Sequence, residues 1–288
     1  MSSPIEKTVE LTSVSKEKLD VFTTTRSPWT FTGARGVYGG TTAAQCLVAA
    51  QHTVSSERLV VYGMHISFLY SGNPNVSIEY HVERMRDSKN FATRIVRATQ
   101  GERVIATATV SFASAVGATG RSGGDASYEH AKKMPADLSP PEHAELETYK
   151  VDGPLEIRKG KILNKYSENP ADTMIRYWMR AKGPIQENRM QSHLAALAFL
   201  TDAYLLGVVM EVQDDVKYED LGVVASLNHT VHFHEPNAVR ADQWMSSERE
   251  SPWAGKDQGL AVHRIWSSDG VLLATSAQEG LVRPRVRL

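Results

Sequence analysis

Three polar side chains stand where the surrounding sequence reads as core: Asp202 in "LAFLTDAYLL", Ser226 in "VVASLNH" and Gln278 in "LLATSAQEG". A carboxylate can accept a proton, while a hydroxyl and a carboxamide can hydrogen-bond and orient a water. Burying a carboxylate is unfavourable by several kcal/mol unless partners satisfy it. Asp202 therefore has two readings, one on the solvent face of its helix and one buried for a chemical purpose. Ser226 and Gln278 carry the same pair of readings, pointing outward from their strands or inward to a pocket.

Other chemistry-bearing residues read more plainly. His229, His232 and His234 are close in sequence, but strand alternation puts 232 and 234 on one face and 229 on the other. No carboxylate–histidine spacing accompanies them, so no metal is expected. Cys46 sits in an Ala-rich stretch without an activating partner and reads as a small core residue.

The chain has 288 residues and 41% hydrophobic content, enough for two modules or one very large domain. Its 32 basic and 33 acidic side chains leave a net charge of -1, which argues against an overall attraction to nucleic acid or an anionic membrane. A single cysteine cannot form an intramolecular disulfide and suits a reducing compartment. The first residues lack the apolar core of a signal peptide, and no run approaches the roughly 18 apolar residues of a membrane span. A soluble intracellular protein is expected. Val286-Arg287-Leu288 ends like the Ser-Lys-Leu peroxisomal address except for its first residue, so cytoplasm and peroxisome both stay open.

The elements that must position these residues repeat along the chain. An Ala-rich helix over 39–54 is followed by strands at 58–70 and 76–86 and by a hairpin at 91–113 turning at Gln100-Gly101. A Gly-, Ser-, Pro- and charge-rich connection covers 114–165. One long helix is then expected over 190–210, followed by strands at 222–234, 244–254, 259–268 and 271–282. The second half thus repeats the order of the first. Residues 101–112 resemble 269–280, and 63–73 resemble 227–237 with His65 and His229 in step. The expectation is an α+β chain of two modules, 1–113 and 166–288, joined by 114–165.

Five stretches, "GARGVYGGTTAAQCL", "RDSKNFATRIVRATQ", "HLAALAFLTDAYLL", "SLNHTVHFHEP" and "SDGVLLATSAQEGLVR", resemble in order the motifs of the acyl-CoA thioesterase II family, the TesB-like double-hotdog thioesterases. The resemblance covers about 25–113 and 170–285. It implies a tandem hotdog, with a long helix packed on a curved antiparallel sheet in each module and the two sheets pairing into one. It also implies hydrolysis of acyl-CoA to a free acid and coenzyme A, with Asp202, Ser226 and Gln278 holding the attacking water.

A thioester carbonyl has weak resonance stabilisation and a good leaving group, so Asp202 as general base suffices without a covalent intermediate. Backbone N–H groups at the helix start, Gly39 or Gly40, are oxyanion candidates. Lys89, Arg94 and Arg97 are candidates for the coenzyme A phosphates. No cofactor is implied beyond the coenzyme A of the substrate, and the family's habit is a dimer or tetramer. The stretch Asn228–Pro236 departs from the family's Asp-His-Ser-Met-Trp-Phe-His-Arg-Pro at Asn228, His232 and Glu235, among others. Two rival readings remain: a hotdog lyase using His229 or His65 beside the pocket, and a non-catalytic acyl-CoA-binding protein.

Overall fold

The computed structural model describes residues 2–15, 20–55, 58–114, 129–142, 147–149, 152–186, 188–213 and 221–284. The first half contains α1 (Pro4–Val9), β1 (Leu11–Ser13), β2 (Val21–Thr24), α2 (Gly39–Gln51), β3 (Leu59–Phe68), β4 (Glu79–Asp87), β5 (Phe91–Gln100) and β6 (Arg103–Ser114). The second contains β7 (Glu147–Tyr149), β8 (Leu155–Leu163), β9 (Met174–Ala181), α3 (Met190–Thr201), α4 (Val208–Glu211), β10 (Leu221–Phe233), β11 (Met245–Gly255), β12 (Gln258–Trp266) and β13 (Leu272–Pro284).

These strands form one sheet in the order β1-β2-β4-β5-β6-β3-β10-β13-β12-β11-β9-β8-β7. Read outward from its centre, β3-β6-β5-β4-β2 on one side corresponds to β10-β13-β12-β11-β9 on the other, so the two halves are related by a two-fold. The seam is the antiparallel pairing of β3 with β10, with Met64 opposite Val231 and Ile66 opposite His229. This is the α+β double hotdog that the motifs imply.

Alternation builds each strand's buried face. Ala92, Arg94, Val96 and Ala98 of β5 point inward with Ala106, Ala108, Val110 and Phe112 of β6. Gly101 turns this hairpin with a φ of +60°, a conformation a Cβ disfavours. The helices α2 and α3 pack side by side, burying Ala43, Ala44 and Leu47 of one and Leu194, Ala198 and Phe199 of the other.

Three expectations change. The helix expected over 190–210 ends at Thr201; Asp202 is its C-cap, Tyr204 takes a φ of +56°, and α4 follows only at Val208. Apolar periodicity carries through such a turn because its residues remain buried. The stretch 114–165 is not connection throughout, since β8 lies within it and pairs with β9. Its mixed sequence "LEIRKGKIL" hides a strand near the sheet's edge. Finally, His65 and His229 are not equivalent: His65 is exposed and His229 fully buried, on opposite faces of an unbulged pairing.

Candidate active site

Asp202 closes α3 at the point where α2 begins. Its Oδ2 accepts the backbone N–H of Gly40 at 2.7 Å, and its Oδ1 accepts Gln278 Nε2–H. The same Gln278 Nε2 donates to Ser226 Oγ at 2.8 Å. The three predicted residues, from a helix end and two strands, therefore meet, with Asp202 7% and Gln278 1% exposed.

Ser226 reaches this group because β10 is bulged. Its partners shift from Ser226 opposite Gly280 to Asn228 opposite Glu279, and then His229 faces Gln278. Strict alternation would set residues 226 and 229 on opposite faces; one extra residue restores Ser226 to the face of Gln278. Across from it, a Cβ on Gly280 would lie 2.4 Å from Leu206 Cδ2, so this turn of chain packs directly on the strand.

Along this side-by-side packing, the start of α2 lies beside the end of α3. Tyr38 Oη donates to Phe199 O at 2.8 Å, and Trp29, Phe31, Tyr38, Phe199 and Tyr204 stack ring against ring with centroids 4.8–5.4 Å apart. The positive end of α2 thus points at the Asp202 carboxylate. Gly40 has no room for a side chain, because a Cβ would sit 2.5 Å from Phe199 O and 2.4 Å from Tyr38 Cε1. Gly40→Ala is therefore expected to lower the thermal midpoint, at roughly 2–4 kcal/mol of stability. Thiol release should fall at least about tenfold as the amide withdraws from the carboxylate. A melting curve and a thiol assay check both.

Burial holds the Asp202 carboxyl above the usual carboxylate range, partly offset by hydrogen bonds from Gln278 and Gly40. Beneath it, His229 Nε2 lies 2.8 Å from Thr201 Oγ1, and burial pushes the imidazole down to about 3, so the ring is neutral at physiological pH. Among the described residues, Gln278 Oε1 and His229 Nδ1 have no hydrogen-bond partner.

Several expected site residues lie elsewhere. Gly40's N–H is engaged by Asp202 and is not a free oxyanion donor; Gly39 contributes close approach, with its hypothetical Cβ 2.9 Å from Asp202 Oδ2. His65 is on the outer face, 2.8 Å from Thr230 Oγ1. Arg94 is 1% exposed, donating to Thr53 Oγ1 and O, Arg86 O, Thr93 O and Asp87 Oδ1, so it braces the chain just past α2 and is not open to a phosphate. Lys89, whose carbonyl accepts from Arg58, belongs to that same end of α2. Arg97 is exposed on the sheet face away from α2.

The departures from the family motif also lie off the trio. His232 and Glu235 are exposed, and Asn228 Nδ2 donates to Glu279 Oε2 at 2.9 Å, a bond an ionised Asp cannot make. Residues that sequence reading passed over include Tyr38, Thr201, Arg249 and His263. The last two were legible in principle, as charged or polar residues at inward positions of β11 and β12.

The model of the acyl-CoA thioesterase N-terminal domain matches residues 25–113, and that of the acyl-CoA thioesterase C-terminal domain matches 128–282. The chain is 34% identical to acyl-coenzyme A thioesterase 8 of Rattus norvegicus, over 91% of this chain and 85% of that protein. It is 25% identical to the peroxisomal acyl-coenzyme A thioester hydrolase 1 of Saccharomyces cerevisiae, over 97% and 94%. Among solved structures, the acyl-CoA thioesterase II TesB2 from Mycobacterium marinum superposes with a TM-score of 0.76 at 29% identity, covering 99% and 98% of the two chains. With both domain models in register with the two halves of the sheet, the chain belongs to the acyl-CoA thioesterase family.

Proposed function

We propose that the protein hydrolyses the thioester of an acyl-CoA by direct attack of water, with Asp202 as general base and Ser226 and Gln278 orienting the nucleophile. The observation that carries this is the convergence of those three side chains at the junction of α2 and α3. The water oxygen bonds to the acyl carbon as its proton passes to Asp202. The carbon–sulfur bond then breaks, and the proton returns to the departing thiolate. Asp202's raised pKa makes it a stronger base than an ordinary carboxylate once it is ionised. Gln278 Oε1 adds an acceptor for the second water hydrogen. Gly39 N–H, the first donor of α2, is the remaining oxyanion candidate at this helix start.

The names of the relatives support acyl-CoA as the substrate class. In the proposed step coenzyme A leaves as product, and attack by water calls for no further cofactor. No helix among the described residues is long and apolar enough to cross a membrane. The yeast relative's name favours a peroxisomal setting over a cytoplasmic one, although Val286-Arg287-Leu288 lies outside the described residues. A homo-oligomer, dimer or tetramer, completes the proposal. The lyase reading is weakened because His65 faces outward and His229 is fully buried with its Nε2 on Thr201.

Single-turnover hydrolysis in ¹⁸O-water, with enzyme in excess over a medium- or long-chain acyl-CoA, tests the mechanism. Free thiol with one ¹⁸O in the acid is expected. Unlabelled acid in the first turnover signals attack by the Asp202 carboxylate itself and overturns the direct mechanism. Conversion without thiol release overturns hydrolysis.

A further inference from the structure

The helix-facing side of the second unit carries a polar layer that the fold does not need. Arg249 on β11, His263 on β12, Ser276 and Gln278 on β13, and His229 on β10 are each at most 1% exposed. They are neighbours in register: Arg249 faces His263, His263 faces Ser276, and Gln278 faces His229.

The first unit supplies the control. Its β4–β5 hairpin is bulged between Arg84 and Arg86, and the β11–β12 hairpin between Glu250 and Trp253. The ladder resumes at Thr93 in one and Leu260 in the other, so three residues further on Val96 corresponds to His263. Following the pairings across, Val82 corresponds to Arg249, Ala108 to Ser276, Val110 to Gln278 and Met64 to His229. All five first-unit residues are apolar. The same backbone positions therefore accept ordinary hydrophobic packing, which avoids the penalty of burying a guanidinium, two imidazoles, a hydroxyl and an amide. The polar set is confined to the unit that supplies Asp202.

Its hydrogen bonds converge on the residues either side of that carboxylate. Thr201 Oγ1 donates to Ala198 O at 2.8 Å, so it must accept from His229 Nε2–H, also at 2.8 Å. On the other side, Arg249 Nη1 donates to Ala203 O at 2.9 Å. Arg249 is itself braced by the Tyr177 ring at 4.2 Å and by Ser247 Oγ at 3.1 Å, and Ser247 Oγ also meets His263 Nε2 at 2.5 Å. A helix end usually frays; this one is pinned from β10 and β11 at the residues before and after its C-cap, Asp202.

We propose that His229 and Arg249 are positioning residues for the hydrolytic reaction, fixing the Asp202 carboxylate against Gln278 by holding Thr201 and Ala203. This rests on the reading of Asp202 as general base.

The test compares wild type with Thr201→Val, Thr201→Ser, His229→Met and Arg249→Lys. It measures kcat and KM for thiol release, the melting midpoint, and binding of a non-hydrolysable acyl-CoA thioether. His229→Met installs the residue of the matching first-unit position, and Thr201→Ser keeps the hydroxyl that accepts from His229. Expected are a 10- to 100-fold loss of kcat in Thr201→Val, His229→Met and Arg249→Lys, KM and thioether binding within about threefold of wild type, and near wild-type kcat in Thr201→Ser. The midpoint of His229→Met should be unchanged or higher.

Unchanged kcat in His229→Met, a Thr201→Ser as slow as Thr201→Val, or losses of kcat that track losses of melting midpoint overturn the proposal while leaving hydrolysis intact. A wild type that releases no thiol overturns both.

Discussion

Replacing Asp202 with Asn is expected to reduce thiol release by about 10³-fold while the protein becomes more stable at neutral pH. The loss follows from removing the only carboxylate of the trio, since general base catalysis contributes roughly 10²–10⁴-fold. The gain follows from burial. The folded-state pKa of Asp202 lies above its unfolded value, so below the unfolded value both states hold the proton and there is no penalty. As pH rises through the folded pKa the buried carboxylate ionises and stability is lost. Asn carries no such penalty, and its carboxamide can still accept from Gly40 N–H while Gln278 reverses its amide to match. Melting curves of wild type and Asp202→Asn should coincide in acid and separate toward pH 8, with the variant higher. Coincidence at pH 8 means the carboxylate is better solvated than its 7% exposure implies.

Gln278→Ala is expected to lower kcat by about 10²-fold with little change in KM, and to move the acid limb of the rate profile to higher pH. Gln278 makes two of the bonds that hold the trio together, and its donation to Asp202 is the strongest influence lowering that pKa against burial. Without it the carboxyl needs a higher pH to ionise. The pH dependence of kcat/KM reads the shift directly; an unmoved or downward-moved limb removes Gln278 from the electrostatics of the site.

Much of this arrangement was visible in the residues. Alternation in 91–113 and the Gln100-Gly101 turn gave the β5–β6 hairpin, and the Gly39-Gly40 pair before an Ala-rich run gave α2. The trio came from motif resemblance, because no spacing rule joins a helix end to two strands. Where reading failed, side-chain character had overruled geometry. Arg94 occupies an inward slot between Ala92 and Val96, so alternation alone placed it inside, yet its charge suggested a surface. The bulge in β10 and the turn at Tyr204 were invisible for a different reason: each is a one-residue backbone event selected by packing between distant segments.

The doubled sheet has a consequence for how this chain tolerates change. One half carries Met64, Val82, Val96, Ala108 and Val110 as interchangeable grease, open to aliphatic residues of similar volume. The other places Ser276 there together with Arg249, His263, Gln278 and His229, four side chains that each hold a particular bond. Corresponding positions on a shared strand plan thus face different demands, and substitution maps of the two halves should not superimpose.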